Sequence, residues 1–259
     1  MDKMLLRLSI AEFAEAHFAS VSPLMLKEDE IHLWRVFTTK FQCLEKALEE
    51  LLSGEEASRM KRFYFPKDRM RFTVAHGILR ILTGRYLNLS PRLVEFKAHP
   101  NGKPAVDACP AGKSLFFNIS HSHEMVVLAF AKFPQIGVDV EFIRPMPDFQ
   151  ELADVYFHTE EKRGLHGTTA GERHKAFFEC WTRKEAFVKA TGEGLSRPLD
   201  SFFTFADEAG TAGIYRIGGK GISAGNWILS DFTPALGYAG AVAFELESSQ
   251  RYEICKIWD

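Results

Sequence analysis

Apolar positions recur at helical spacing from residue 41 to 52, where FQCLEKALEELL places Phe41, Leu44, Leu48, Leu51 and Leu52 on one face with charges between them. That period predicts an amphipathic helix ending near Gly54. A second periodic stretch, through Val74, Ala75, Ile78, Leu79 and Leu82, predicts another helix. The pattern then changes. Residues 115–119 (LFFNI) and 125–131 (MVVLAFA) are short apolar runs split by the polar SHSHE, which predicts two buried strands and a tight connection carrying His121. Residues 136–141 (IGVDVE) alternate apolar and acidic, the period of a strand. After Pro145 and Pro147, helices are expected around ELADVYF, from Thr159 with Glu160 and Glu161 in the first turn, and from about Glu172 to Ala190. Gly192 and Gly194 close the last of these. Residues 201–259 divide into β-prone pieces (SFFTF, GIYRI, NWILS, AVAFELE) separated by glycines, expected as antiparallel strands.

Helices and strands mix without a regular β-α-β rhythm, so the expected class is α+β. The proline-rich connection at 145–147 is the expected boundary between halves. A length of 259 residues allows one large domain or two packed halves. Thirty-two Lys+Arg against 34 Asp+Glu leave a formal charge of −2, so no overall basic field draws the chain to nucleic acid or anionic lipid, and any phosphate site must be local. The cysteines, Cys43, Cys109, Cys180 and Cys255, lie far apart with no C-x-x-C pair, which argues against a zinc site or a disulfide framework. Reduced thiols and the lack of an apolar run near ~20 residues lead us to expect a soluble cytoplasmic protein without a membrane partner.

The candidate chemistry begins with Asp139 and Glu141. On a strand, i and i+2 side chains share a face, so two carboxylates project together from an apolar segment beside Gly137. A divalent cation would relieve their repulsion, and two carboxylates are about what Mg²⁺ uses when phosphates and water complete its shell. The alternative is a half-exposed edge strand with solvated acids. Residues 181–195 (WTRKEAFVKATGEGL) stack Glu185 and Lys189 on one helix face, with Lys184 about 100° away. A metal on one side of a polyphosphate and an ammonium on the other would use that pair; an exposed i,i+4 salt bridge is the plainer account. His121 lies among Asn118, Ser120 and Ser122 and suits either phosphate contact or a structural turn. Lys103, between Gly102 and Pro104, is either functional or a solvated turn lysine. Arg59, Lys61, Arg62, Lys67, Arg69 and Arg71, mixed with Phe63, Tyr64 and Phe65, form the most basic window, a possible phosphate surface or a charged helix face.

In this order, NGKP (101–104), FNISHS (117–122), GVDVE (137–141), FFECWTRKEAFVKATGEGL (177–195) and PLDSF (198–202) strongly resemble the 4′-phosphopantetheinyl transferase superfamily in its long, surfactin-synthetase-activator type. The similarity runs from about Ser58 to Phe202 and continues weakly to the C-terminus; residues 1–55 carry no specific signal. The resemblance implies a monomeric enzyme of two similar α/β halves related by a pseudo-twofold around a central cleft, here residues 1–134 and 135–259, with coenzyme A in the cleft. It implies Mg²⁺-dependent transfer of phosphopantetheine from coenzyme A to a serine of an acyl or peptidyl carrier protein, releasing adenosine 3′,5′-bisphosphate. Carried over by position, Asp139, Glu141 and Glu185 would bind metal, and Lys184 and Lys189 the phosphates. Ser120 and His121 would approach the coenzyme's phosphates, Lys103 the adenine, and Arg59 and Arg71 the 3′-phosphate. The family often has a basic residue where this chain has Glu56. Glu185, Lys189 and His121 are the expected catalytic groups. Phe149, Leu152 and Phe157 would either meet the carrier or belong to the core. The competing readings are a non-catalytic coenzyme A or carrier-binding module and a metal-dependent phosphatase or nucleotide hydrolase.

Overall fold

The computed structural model describes residues 4–98, 102–206, 211–216, 227–245 and 252–258. The chain opens with β1 (Met4–Glu12) and β2 (Glu30–Phe37), followed by three helices, α1 (Glu45–Glu49), α2 (Gly54–Lys61) and α3 (Pro66–Leu87). A small antiparallel hairpin, β3 (Phe96–Ala98) and β4 (Pro104–Val106), leads to β5 (Phe116–Ser122), β6 (Met125–Ala131) and β7 (Ile136–Phe142). Helices α4 (Phe149–Tyr156), α5 (Thr159–Gly167) and α6 (Arg173–Thr191) come next. Among the described residues five strands follow: β8 (Phe202–Ala206), β9 (Thr211–Arg216), β10 (Trp227–Phe232), β11 (Tyr238–Glu245) and β12 (Tyr252–Trp258).

Two five-stranded sheets carry the architecture, in the orders β12-β1-β2-β6-β5 and β7-β11-β10-β9-β8. They share a core in which Leu6, Leu8, Ile10 and Val127 of the first meet Val138, Val140, Val242 and Phe244 of the second. Strand β6 is an unbroken apolar run because both its faces are covered. Met125, Val127 and Ala129 enter the inter-sheet core, whereas Val126, Leu128 and Phe130 pack with Ile78, Leu79 and Leu82 of α3. On the far side, Ala186, Phe187 and Ala190 of α6 cover Leu229, Ala241 and Ala243. The layers therefore run helix, sheet, sheet, helix.

Helix α6 lies unusually close to β7. A Cβ on Gly137 would overlap the Ala186 carbonyl and the Ala190 amide, so only glycine leaves room for the helix backbone there. The helix stops at Gly192, whose φ of 73° is left-handed.

The structure departs from the sequence reading in several places. The helix expected over 41–52 is a 3₁₀ segment, Thr38–Leu44, followed by only five α residues, because Ser53 caps the next helix and forces a turn before it. His121 is on β5 itself; the turn falls at His123, with φ 52°. The linker with Pro145 and Pro147 does not separate halves, since β7 before it pairs with β11 after it. The crossing between sheets is instead the short segment 132–135. Strand β12 returns to pair in parallel with β1, so the C-terminal residues complete the first sheet. Strands β1, β2 and β12 and the β3–β4 hairpin were not expected, although Leu6, Leu8 and Ile10 alternate as a strand should. The glycine-divided strands of the tail are present as β8 to β11, and Ile217, Asn226 and 246–247 of the quoted pieces lie outside the described residues.

Replacing Gly137 with Ala should force α6 away from β7. Urea unfolding should register a loss of ~1–3 kcal/mol, the usual range for overpacking a tight contact, with the far side of the molecule unaltered by hydrogen exchange.

Candidate active site

Strands β5 and β7 are the facing edges of the two sheets, and side chains rather than backbone join them. Along β7 the outward amides of Val138, Val140 and Phe142 donate to Asn118 Oδ1 at 2.8 Å, Ser120 Oγ at 3.4 Å and Ser122 Oγ at 3.1 Å. Residues i and i+2 of each strand face one another, so three polar side chains at alternate positions satisfy three edge amides. The two hydroxyls then donate onward, Ser120 to Asp139 Oδ1 at 2.7 Å and Ser122 to Glu141 Oε2 at 2.6 Å. Asp139 is 4% exposed, which excludes the solvated edge strand.

Because Gly137 draws α6 in, Lys189 reaches the same point. Its ammonium lies 2.6 Å from Asp139 Oδ1 and 2.9 Å from Ser120 Oγ. Asp139, Glu141, Glu185, Lys189, Ser120 and His121 all line one cavity of about 1010 Å³, with Arg59 and Arg71 on its α2–α3 wall. Sequence positions 59 to 189 thus converge on a single space. Arg71 pairs with Asp68 at 2.7 Å, and the Arg59 guanidinium stacks 5.5 Å from the Phe72 ring.

The electrostatics are those of crowded acids. Burial raises the Glu141 carboxyl above its ordinary pKa, with the Asp139 charge adding to the effect and the Ser122 hydroxyl opposing it. Burial and then Asp139 raise Glu185 as well, against the pull of Lys189. Desolvation by the cavity walls, with Arg71 and Lys189 nearby, lowers His121, which favours the neutral imidazole at neutral pH. Among the described residues no three acid, histidine or cysteine side chains close into a metal cage. The donor set nevertheless suits a hard cation: all three groups offer carboxylate oxygen, and Asp139 Oδ2 is buried with no hydrogen-bond partner. The Lys189 ammonium now sits on the other oxygen of that carboxylate.

Two expected phosphate or nucleotide ligands lie elsewhere. Lys184 is fully buried and donates to Glu161 Oε1 at 2.9 Å, Glu161 Oε2 at 2.6 Å and the Phe202 carbonyl at 2.8 Å. Its three protons are committed, and it points away from the cavity that Glu185 lines. Glu161, which α5's first turn suggested only as a dipole partner, also accepts from the Thr204 amide at 2.8 Å. Lys103 donates to the Ile136 and Ala190 carbonyls at 2.9 and 3.0 Å, tying the end of α6 to the start of β7, and burial lowers its pKa to about 8. It borders a second, more apolar cavity of about 500 Å³ behind Glu185. Asn101 of the NGKP motif is outside the described residues. Phe149 and Phe157 are core residues that meet the Phe177 ring, the first edge-on and the second stacked, with Leu152 packed against them. The exposed apolar side chains of α4 are Val155 and Tyr156.

The cavity wall also contains contacts that the sequence reading did not foresee, although it named Glu56. Glu56 receives Arg80 Nε at 2.6 Å, lies 3.1 Å from His76 Nδ1 and closes a capping box with Ser53. The S-x-x-E spacing of Ser53 and Glu56 was legible as a helix start. The i, i+2, i+4 run of Asn118, Ser120 and Ser122 was legible as one polar strand face.

With this geometry established, comparison with known proteins identifies the lineage. The family described as the 4′-phosphopantetheinyl transferase superfamily matches residues 135–242, and the family described as 4′-phosphopantetheinyl transferase, N-terminal, matches residues 33–132. The chain belongs to the 4′-phosphopantetheinyl transferase superfamily. It is 40% identical over 174 residues to the 4′-phosphopantetheinyl transferase HetI of Nostoc sp., covering 67% of this chain and 73% of that one. It is 34% identical over 151 residues to the 4′-phosphopantetheinyl transferase Sfp of Bacillus subtilis, covering 58% and 65%. The crystal structure of Thermotoga maritima holo-[acyl-carrier-protein] synthase aligns with a TM-score of 0.36 at 19% identity, covering 44% of this chain and 64% of that one.

Two stability predictions follow from these contacts. Lys184→Ala leaves Glu161, whose side chain is 3% exposed, as an unpaired buried charge, and should cost ~3–5 kcal/mol in denaturant unfolding. Burial would raise the Glu56 carboxyl, but His76, the Ser53 amide and Arg80 outweigh it and hold the pKa at about 2. A depressed acid stabilises the fold above its unfolded value, and that contribution fades as pH falls from about 4.5 toward 2. Glu56→Gln should therefore flatten the stability profile in that window when unfolding is followed against pH.

Proposed function

We propose that this chain transfers 4′-phosphopantetheine from coenzyme A to a serine hydroxyl of an acyl or peptidyl carrier protein. The observation that carries the reading is that Asp139, Glu141, Glu185 and Lys189 line one large cavity together with Arg59 and Arg71 of α2 and α3. A diphosphate with a bulky nucleotide at one end and a flexible arm at the other suits such a space. In this reading the acids lie under the diphosphate and the arginines under the nucleotide phosphate.

Asp139, Glu141 and Glu185 would hold Mg²⁺, which when bound neutralises and aligns the diphosphate. The remaining work falls to the chain's own groups. Glu185, its pKa raised by burial and by Asp139, takes the proton from the carrier serine. The serine oxygen bonds to the β-phosphorus as the bond from that phosphorus to the bridging oxygen breaks. Adenosine 3′,5′-bisphosphate leaves with the bridging oxygen, whose charge Lys189 compensates after exchanging Asp139 for the phosphate. Neutral His121 donates to a non-bridging phosphate oxygen, and Ser120, whose one proton goes to Asp139 Oδ1, stands beside the phosphates and holds that acid in place. In this proposal residues 1–134 and 135–259, with α3 and α6 as outer helices, form two similar halves of a monomer related by a pseudo-twofold about the cleft, β12 alone of the described strands crossing back to complete the first sheet. Four free cysteines agree with a reducing cytosol.

Incubating a carrier protein with coenzyme A, Mg²⁺ and the enzyme should add one phosphopantetheine group by intact mass. A carrier left unmodified across fatty-acid, polyketide and peptide types would favour a binding module instead, and bisphosphate release without any carrier would favour a hydrolase. Asp139→Ala should abolish transfer with the fold intact. Glu185→Gln should lower turnover ~10²-fold or more, as loss of a general base does, with coenzyme A affinity little changed; equal loss of both would leave it a metal ligand only.

A further inference from the structure

Two groups on different elements compete for one oxygen of Glu141. Ser122, on the facing strand β5, donates to its Oε2 at 2.6 Å, and the Arg144 guanidinium, beyond the end of Glu141's own strand, stands 4.0 Å from the same oxygen. Arg144 is half exposed and three residues on, beyond the end of β7. The Ser122 hydroxyl is not free to choose its direction. Its oxygen receives the Phe142 amide at 3.1 Å, so its single proton is directed at Glu141. Ser120 is held in the same way by Val140 and aimed at Asp139. One hydroxyl therefore serves each acid, and the two-residue period of β5 matches that of β7.

From this geometry we propose that Ser122 is a positioning residue, holding Glu141 toward the cavity and away from Arg144 so that it stands beside Asp139. The inference rests on the reading of the acids as cation ligands. Two neighbouring carboxylates repel one another, and Glu141 is long enough to relieve that repulsion by swinging out to the arginine. With Ser122 removed, nothing in the ladder opposes that swing. Ser122 touches none of the reacting atoms in the proposed transfer; it acts only through Glu141.

The test uses Mn²⁺ as the probe, since oxygen-donor sites accept it in place of Mg²⁺. Binding to the coenzyme A complex is measured from the loss of the free Mn²⁺ paramagnetic signal, beside carrier modification and thermal unfolding. Ser122→Ala should weaken Mn²⁺ binding ~10-fold, as removal of a partner that orients a metal ligand does, and Ser122→Thr should bind like the parent. Adding Arg144→Gln to Ser122→Ala should recover much of the affinity, a rescue that a purely structural defect would not show. Parental Mn²⁺ affinity in Ser122→Ala would overturn the proposal, as would failure of Arg144→Gln to restore binding or a Ser122→Thr variant as weak as the alanine. A parent enzyme that binds no Mn²⁺ and modifies no carrier would instead remove the cation-site reading itself, and the proposal with it.

Discussion

Everything in the molecule turns on how the free edge of β7 is satisfied. An unpaired strand edge presents amides that must find acceptors, and a buried amide without one costs ~1–3 kcal/mol. Here the acceptors are Asn118, Ser120 and Ser122 of the facing edge. Backbone pairing would have merged the two sheets into one. Side-chain pairing keeps them separate, holds them edge to edge, and leaves polar groups where the sheets meet. The same hydroxyls that accept from β7 donate to its acids. The joint between the sheets and the floor of the cavity are one set of hydrogen bonds.

A second constraint brings α6 to that joint. The absent side chain of Gly137 admits the helix backbone, and the Lys184–Glu161 pair fixes the rotation of the helix from its far side. With Lys184 anchored inward, the helical repeat turns Glu185 and Lys189 toward β7. A buried ion pair seldom adds much net stability over an apolar one, because its desolvation offsets its attraction. Its effect here is geometric: an ammonium with three fixed acceptors tolerates little rotation of the helix that bears it. Lys103 adds a further tie, joining β7 and the end of α6 through their carbonyls.

The cavity floor is electrostatically unbalanced by construction. Burial and the Asp139 charge raise Glu141 and Glu185, and one oxygen of Asp139 has no partner. Lys189 occupies the other oxygen. A site arranged in this way gains from the arrival of positive charge near the acids and negative charge near the lysine, which is what a cation with a diphosphate brings.

The sequence by itself determined most of the elements with strong periods, the 41–52 segment excepted, and which acids share a face. The i, i+2 spacing of Asp139 and Glu141 and the i, i+4 spacing of Glu185 and Lys189 are local geometry, so strand and helix alone put each pair on one face. The family motifs were legible for the same reason, being short and contiguous. Strands β1, β2 and β12 were not, because their stability comes from partners distant in the chain; β12 exists as a strand only beside β1. Which way Lys184 and Lys103 point was also decided by tertiary structure. A lysine next to a catalytic-looking glutamate reads as a phosphate ligand until a buried carboxylate from another helix claims it. Local spacing specifies faces, whereas packing alone selects what each face meets.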